Sequence, residues 1–368
     1  MKKFPLILAM ILIFSLLAGC AGTPVVYYTE CTCPANAHTE TAAPAPTTAP
    51  DAPAEEAPVL TEGALKTGLA ISTSVKKSAN ATADAAGKAD YDVTMVAVLV
   101  DDNGVIQDCI IDGIATSISF DATGAITTDL TVAPQTKNEL GENYNMVKYG
   151  GAIAEWDAQA AALASFAVGK TVDELKTGAV SETGYAPAGS DLATQATIYL
   201  GGYVYAIEAA VNNAKHLGAQ SGDTLKLATI AKTGSSAAAT ADAAGNAQLD
   251  ADVVALTMNG DIITSCALDS VQAKVAFDAT GAITSDVTAP VATKNELGEN
   301  YGMVAWGKAI AEWDAQAASF AAYVTGKTAA EVADISITEA TKPADADLAA
   351  TVTISVIGFM NLITKAAQ

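Results

Sequence analysis

Thr136-Lys-Asn-Glu-Leu-Gly-Glu-Asn-Tyr144, followed by Ala154-Glu-Trp-Asp-Ala-Gln-Ala160, decides the architecture because it occurs twice. The second copy reads Thr293-Lys-Asn-Glu-Leu-Gly-Glu-Asn-Tyr301 and then Ala311-Glu-Trp-Asp-Ala-Gln-Ala317. The offset is a constant 157 positions, and it extends upstream through Phe120-Asp-Ala-Thr-Gly-Ala-Ile126 and Phe277-Asp-Ala-Thr-Gly-Ala-Ile283. Solenoid repeats are much shorter, so this period predicts a duplicated domain. Each copy is near the usual domain size and is expected to hold its own core.

Upstream of each shared block lies a run rich in β-branched residues, Asp92 to Val100 and Asp252 to Met258. Asn103-Gly104 and Asn259-Gly260 close these runs, and Asn-Gly is a strong signal for a two-residue hairpin. A second turn is expected at Asp121-Ala-Thr-Gly124 and Asp278-Ala-Thr-Gly281. The segments before these runs are Ala/Thr/Lys mixtures with no clear period. Within the shared block, Ile153, Trp156, Ala160, Leu163 and Ala167 follow a three-and-four spacing. Ile310, Trp313, Ala317, Phe320 and Val324 repeat it, which predicts a helix whose apolar stripe faces the core. Each copy then closes with an Asp, a short strand and a final helix, Tyr203 to Ala214 and Phe359 to Ala367. The predicted class is α+β: two tandem homologous domains, each a small antiparallel sheet with packed helices.

The domain limits follow as 1–20 for a leader, 21–62 for a tether, and 63–220 and 221–368 for the two copies. Lys2 and Lys3 precede the apolar run Phe4 to Leu17, and Leu17-Ala18-Gly19-Cys20 resembles the lipobox of bacterial lipoproteins. That resemblance implies cleavage before Cys20 and lipidation of its thiol, which holds a protein to the membrane without spanning it. The expected address is the extracytoplasmic face of a cell membrane. Pro, Ala, Thr and Glu dominate Ala35 to Pro58, a composition that buries no core and stays extended, with a reach of about 100 Å.

The chain carries 41 acidic residues against 19 basic ones, a net charge of −22, and every basic residue is Lys. A nucleic-acid binder needs a cationic footprint, so that class is excluded. Without arginine, any phosphate site must use Lys, hydroxyls or backbone N–H groups. Only two histidines, His38 and His216, are present, and both read as solvated. Cys109 and Cys266 occupy the same place in the two copies and read as small core residues. Cys31 and Cys33 lie in the tether, where a strained local disulfide and pairing with another chain both remain open. Gly169-Lys-Thr171 and Gly326-Lys-Thr328 suggest a phosphate-binding loop, but Ala164 and Ala321 stand where its first Gly belongs. Each Gly also follows a helix rather than preceding one, so it reads as a helix stop.

Between Phe120 and Ala161 about 32 of 42 positions agree with the second copy, whereas the preceding strands diverge. Duplication alone spreads similarity evenly, so a polar, turn-rich segment held this constant is a candidate binding surface. Its residues are Lys137, Glu139, Tyr144, Glu155 and Gln159, with Lys294, Glu296, Tyr301, Glu312 and Gln316 in the second copy. The competing reading is a salt-bridged loop packed on the Trp helix.

A β-meander with a turn Gly, a long helix, and an Asp-led Thr/Ala motif entering an Ala-rich last helix resembles the FMN-binding domain family. In that family a motif Asp-x-x-Ser/Thr-Gly-Ala-Ser/Thr-x-Thr attaches FMN through a phosphoester to its last hydroxyl. On this chain Asp191, Thr194, Ala196 and Thr197 match, with Gln195 in place of Gly and Tyr199 in place of the acceptor. In the second copy Asp347, Thr353 and Ser355 match, with Ala350, Thr351 and Val352 as departures. The resemblance implies FMN as the cofactor, and these departures argue against covalent attachment, most strongly at Tyr199. It further implies a flavin or electron-transfer role with a redox or cell-surface protein partner. The alternative class is a non-enzymatic surface binding or scaffold lipoprotein that kept the fold and lost the flavin.

Overall fold

The computed structural model describes residues 63–368. The leader, Cys20, the tether and its cysteines lie outside the described residues.

The first half contains strands β1 (Lys66–Ser74), β2 (Gly87–Val100) and β3 (Ile106–Phe120). They are followed by helices α1 (Lys137–Leu140), α2 (Met146–Gly150), α3 (Trp156–Ala167), α4 (Val172–Ala179) and α5 (Gly201–Asn212). The second half repeats this with β4 (Thr224–Lys232), β5 (Gly245–Asn259) and β6 (Ile262–Phe277). Its helices are α6 (Lys294–Leu297), α7 (Met303–Gly307), α8 (Trp313–Val324), α9 (Ala329–Ala333), α10 (Ala346–Ala349) and α11 (Ile357–Ala366). The fold is α+β, with two three-stranded antiparallel sheets ordered β1-β2-β3 and β4-β5-β6. Antiparallel hairpins form, β2 with β3 from Gly87–Phe120 to Val100–Ile106 and β5 with β6 from Gly245–Phe277 to Asn259–Ile262, but the first connection spans Asp101 to Val105 rather than two residues and the second turns at Gly260-Asp261.

Each half holds a core of its own between sheet and helices, as expected, and the two halves also share a third core between their sheets, which was not expected. Side chains alternate across a strand. Along β2, Tyr91, Val93, Met95, Ala97 and Leu99 enter a cluster that also holds Leu249, Ala251, Val253 and Ala255 of β5. The intervening Val96, Val98 and Val100 face α3 and α5, and Val254, Leu256 and Met258 face α8 and α11. A sheet apolar on both faces needs two covers. Helices supply one, and the other sheet supplies the second. At the centre the Phe120 and Phe277 rings stack at 4.1 Å, only 3° from parallel. The two turns around them bond reciprocally, Ala81 N–H to Gly281 O and Ala239 N–H to Gly124 O. A Cβ on Gly124 would lie 2.7 Å from that of Ala239, and one on Gly281 2.5 Å from that of Ala81. These shared glycines therefore let the halves approach.

Three further expectations change. The Ala/Thr/Lys segments are strands β1 and β4. Ile153 and Ile310 are 55% exposed, because α3 and α8 begin at Trp156 and Trp313 and the apolar stripe does not run past their N-caps. No strand follows Asp191 or Asp347: a single 3₁₀ turn, Leu192–Thr194, and helix α10 stand there instead. Among the described residues no helix is long and apolar enough to cross a membrane.

Candidate functional site

The duplicated block is built inward. Thr136 caps α1 by accepting from Glu139 N–H, and Glu139 accepts from Thr136 N–H; Thr293 and Glu296 repeat this capping box. Asn138 and Asn295 donate from their side chains to Ile111 O and Leu268 O of the sheet. Asp112 and Asp269 accept the N–H groups of the same asparagines. Burial raises both aspartates above the usual carboxylate range, Asp269 to about 6. Glu155 accepts from Met146 N–H and Val147 N–H, and Glu312 accepts from Met303 N–H and Val304 N–H, which fixes α2 and α7. Glu139 also pairs with Lys365 of the last helix.

Lys137 is buried, 4.9 Å above the Trp156 ring and 5.7 Å from that of Tyr144, with Asp92 at 3.4 Å. Lys294, half-buried and without an ion-pair partner among the described residues, lies likewise over Trp313 (4.7 Å) and Tyr301 (5.3 Å), and burial lowers its pKa. Tyr301 Oη donates to Gln272. A cation held over two rings in a desolvated place is a strong local tie.

Gln159 and Gln316, both fully buried, tie the Trp helices to the loops carrying the flavin-like motif. Gln159 Oε1 accepts from Thr197 N–H, Thr197 Oγ1 and Ile198 N–H. Gln316 Oε1 accepts from Thr353 N–H and Thr353 Oγ1. The amides at the resemblance's phosphate position therefore already have partners. Asp191 and Thr194 are exposed and bond locally, Thr194 Oγ1 donating to Asp191 O. Asp347 is exposed on α10, whose cap is Asp345 rather than Asp347.

The halves differ most in what they can bind at the loop before the last helix. In the second, Met303, Lys308, Ile310, Lys342, Thr353, Ile354 and Ser355 are among the residues lining an open cleft of about 520 Å³. That volume lies within the range of small-ligand sites. Ser355 Oγ and Thr341 Oγ1 lie 2.6 Å apart. In the first half the positions matching Lys308, Thr341, Lys342 and Ser355 are Gly151, Gly184, Tyr185 and Tyr199. The Tyr199 ring lies across Gly184, where an added Cβ would come within 2.2 Å of it, and meets Tyr185 edge-on at 5.6 Å.

The backbone sharpens the contrast. Lys308 (φ 53°) and Thr341 (φ 58°) hold left-handed conformations that Gly151 (φ 62°) and Gly184 (φ 79°) adopt in the first half. A side chain there costs about 1–2 kcal/mol. Among the described residues the remaining non-glycine with positive φ is Asn145, a residue type that tolerates this region. Neither Lys308 nor Lys342 has a carboxylate in ion-pair contact among the described residues. Ser355 and Thr353 were legible as candidates from the motif. The two lysines were not, although the mismatches between the copies pointed to them.

The resemblance's cofactor fits the two halves differently. The second lines its cleft with two lysines, Thr353, Ser355 and apolar residues, residue types suited to a phosphate ester. The first offers a tyrosine pair in that space and does not fit. Elsewhere, Cys109 and Cys266 are buried and free, and burial pushes the Cys109 thiol up to about 12. His216 is not solvated as expected: Nε2 lies 2.9 Å from Asp102, which also binds Lys66, while buried Nδ1 has no partner. Gly169 and Gly326 end their helices at positive φ, as expected of helix stops. No group of His, Cys, Asp and Glu among the described residues is placed to hold a metal ion. Comparison with protein-family models, with curated proteins and with solved structures found no match to this chain.

Proposed function

We propose that this chain is a lipid-anchored extracytoplasmic binding protein whose second half carries FMN noncovalently and whose first half is a scaffold. The observation that supports this is the open cleft bordered by Thr353, Ser355, Lys308 and Lys342. It coincides with the place where the family resemblance puts the flavin phosphate. Ser355 Oγ and the two ammonium groups hold the phosphate, and Met303, Ile310 and Ile354 take the apolar part of the ligand. When bound, the flavin supplies one- or two-electron transfer, and a redox or cell-surface protein partner receives or delivers the electrons. The anchor at Cys20 keeps this exchange at the membrane surface.

Titration of FMN with the purified chain tests the reading: flavin fluorescence falls on binding and returns on denaturation. Unchanged fluorescence at millimolar protein overturns it and leaves the scaffold reading. That second reading has its own support, because Gln159 and Gln316 occupy the motif amides in both halves. The anchor has a separate test. Cys20→Ala moves the protein from the detergent phase to the aqueous phase, and equal partitioning removes the lipoprotein assignment.

A further inference from the structure

We infer that the second-half cleft is an anion site selective for small phosphate monoesters with an apolar body, and that the tyrosine pair closes its first-half counterpart. This deepens the flavin reading, on whose cleft it rests, but it stands without any isoalloxazine ring. Four coupled differences carry it: Gly151 against Lys308, Gly184 against Thr341, Tyr185 against Lys342, and Tyr199 against Ser355. They are coupled sterically. Threonine at 184 would collide with the Tyr199 ring, whose carbons an added Cβ there already approaches to 2.2 Å. The open form therefore needs a small residue at the Ser355 position before it can carry Thr341.

They are also coupled chemically. Two lysines enter one cleft in a chain of net charge −22, and neither is neutralised by a carboxylate among the described residues. Lys308 does so from a left-handed backbone that glycine relieves in the first half. Residues held in such conformations cluster at ligand-binding sites. An ammonium is a point charge, so two of them converge on an oxyanion without requiring the planar fork that arginine gives. Thr341 Oγ1 donates to Ala340 O and so accepts from Ser355 Oγ, 2.6 Å away; a phosphate oxygen takes the Ser355 hydrogen by replacing Thr341 as its acceptor. Met303 and Ile310 form an apolar wall, and neither a bare inorganic ion nor a wholly polar ester would cover it.

Calorimetric titration of the full chain with phenyl phosphate, inorganic phosphate, benzyl alcohol, FMN and riboflavin tests the inference. The expected order is phenyl phosphate and FMN at one site per chain, inorganic phosphate weaker, and benzyl alcohol and riboflavin weaker still. Lys308→Gly, which suits the backbone, and Lys342→Gln each weaken phenyl phosphate about tenfold or more, the loss of one charge-assisted contact. Joint replacement Gly151→Lys, Gly184→Thr, Tyr185→Lys and Tyr199→Ser raises the stoichiometry from one to two. Should that variant fail to fold, the two lysine variants still decide. Absence of phenyl phosphate binding at millimolar concentration, or unchanged affinity in both lysine variants, overturns the inference. Riboflavin binding as tightly as FMN overturns it too while leaving the flavin reading intact. Phenyl phosphate binding without FMN does the reverse.

Discussion

Tyr199 lies over Gly184 in the first half, whereas Ser355 faces Thr341 beside an open cleft in the second. Only a few residues away, the two halves are nearly identical. Each sets a lysine over a tryptophan and a tyrosine, a glutamine under the loop before the last helix, and an aspartate under a capping box. The identical positions make contacts to the sheet, which one change breaks and few changes rebuild. The divergent positions lie on loops, where either a ring or a lysine leaves the sheet undisturbed. Constancy between the copies therefore marks the lock, and divergence marks the place where the halves differ in what they can bind.

The largest test asks whether the halves are two objects or one. Phe120→Ala and Phe277→Ala remove opposite members of a stack that both sheets share. Each is expected to cost about 3–5 kcal/mol. Both halves should unfold together in a single calorimetric transition at a lowered Tm. Two separate transitions, with only one displaced, would break the shared-core account. Next come the buried glutamines. Gln159→Ala strips partners from three donors and Gln316→Ala from two, so urea unfolding should show losses of about 2 kcal/mol, with Gln159→Ala the larger. Equal or negligible losses would mean that water replaces the amide.

A third test uses pH. Burial pushes the Asp269 carboxyl up from its ordinary value of 3.8 to about 6. Between these values the native state binds the proton more tightly than the unfolded chain does. Stability from this group is thus complete below about pH 4 and lost as pH rises through about 6, on the order of 3 kcal/mol. Asp269→Asn should flatten that slope while keeping an acceptor for Asn295 N–H. Asp112→Asn should remove a contribution of the same sign in the first half. A stability that rises between pH 4 and 6 and is insensitive to Asp269→Asn would contradict this.

What the sequence could convey depended on how local each cause was. Strands β2 and β5, the Asn-Gly turns and the Trp helices were legible because periodicity and turn chemistry act within a few residues. Strands β1 and β4 were not: in β1, Lys66, Gly68 and Ala70 have weak strand propensity and are held by pairing with β2. The shared core was hidden for a different reason. Alternation shows that Val93 and Val96 lie on opposite faces of β2, but not that the cover over Val93 is the other half of the chain. Ile153 and Ile310 satisfied the helical spacing and still fell outside the helices, since Glu155 and Glu312 bend back to bond α2 and α7. At the site, Ser355 came from a motif. Lys308 and Lys342 came only from setting two loops side by side in space, 34 residues apart in sequence.

The smallest effect is the one that most sharply separates the two halves. Lys308 and Gly151 occupy the same C-terminal position of α7 and α2, at φ 53°, ψ 33° and φ 62°, ψ 24°. If backbone cost alone mattered, glycine would serve in both places. Replacing Lys308 with Gly removes the crowding of Cβ against the backbone at positive φ, offset in part by the greater freedom of glycine in the unfolded chain. The net expected change is a gain of about 1 kcal/mol in urea-measured stability, or near zero if the entropic term cancels it. Gly151→Lys should cost about 1 kcal/mol in the first half by the same argument. A stabilised Lys308→Gly protein that also binds phosphate esters less well would mean the second half keeps a strained lysine for its ligand. A destabilised one would show that Lys308 makes contacts worth more than its strain, and that the difference between the halves at this position is structural.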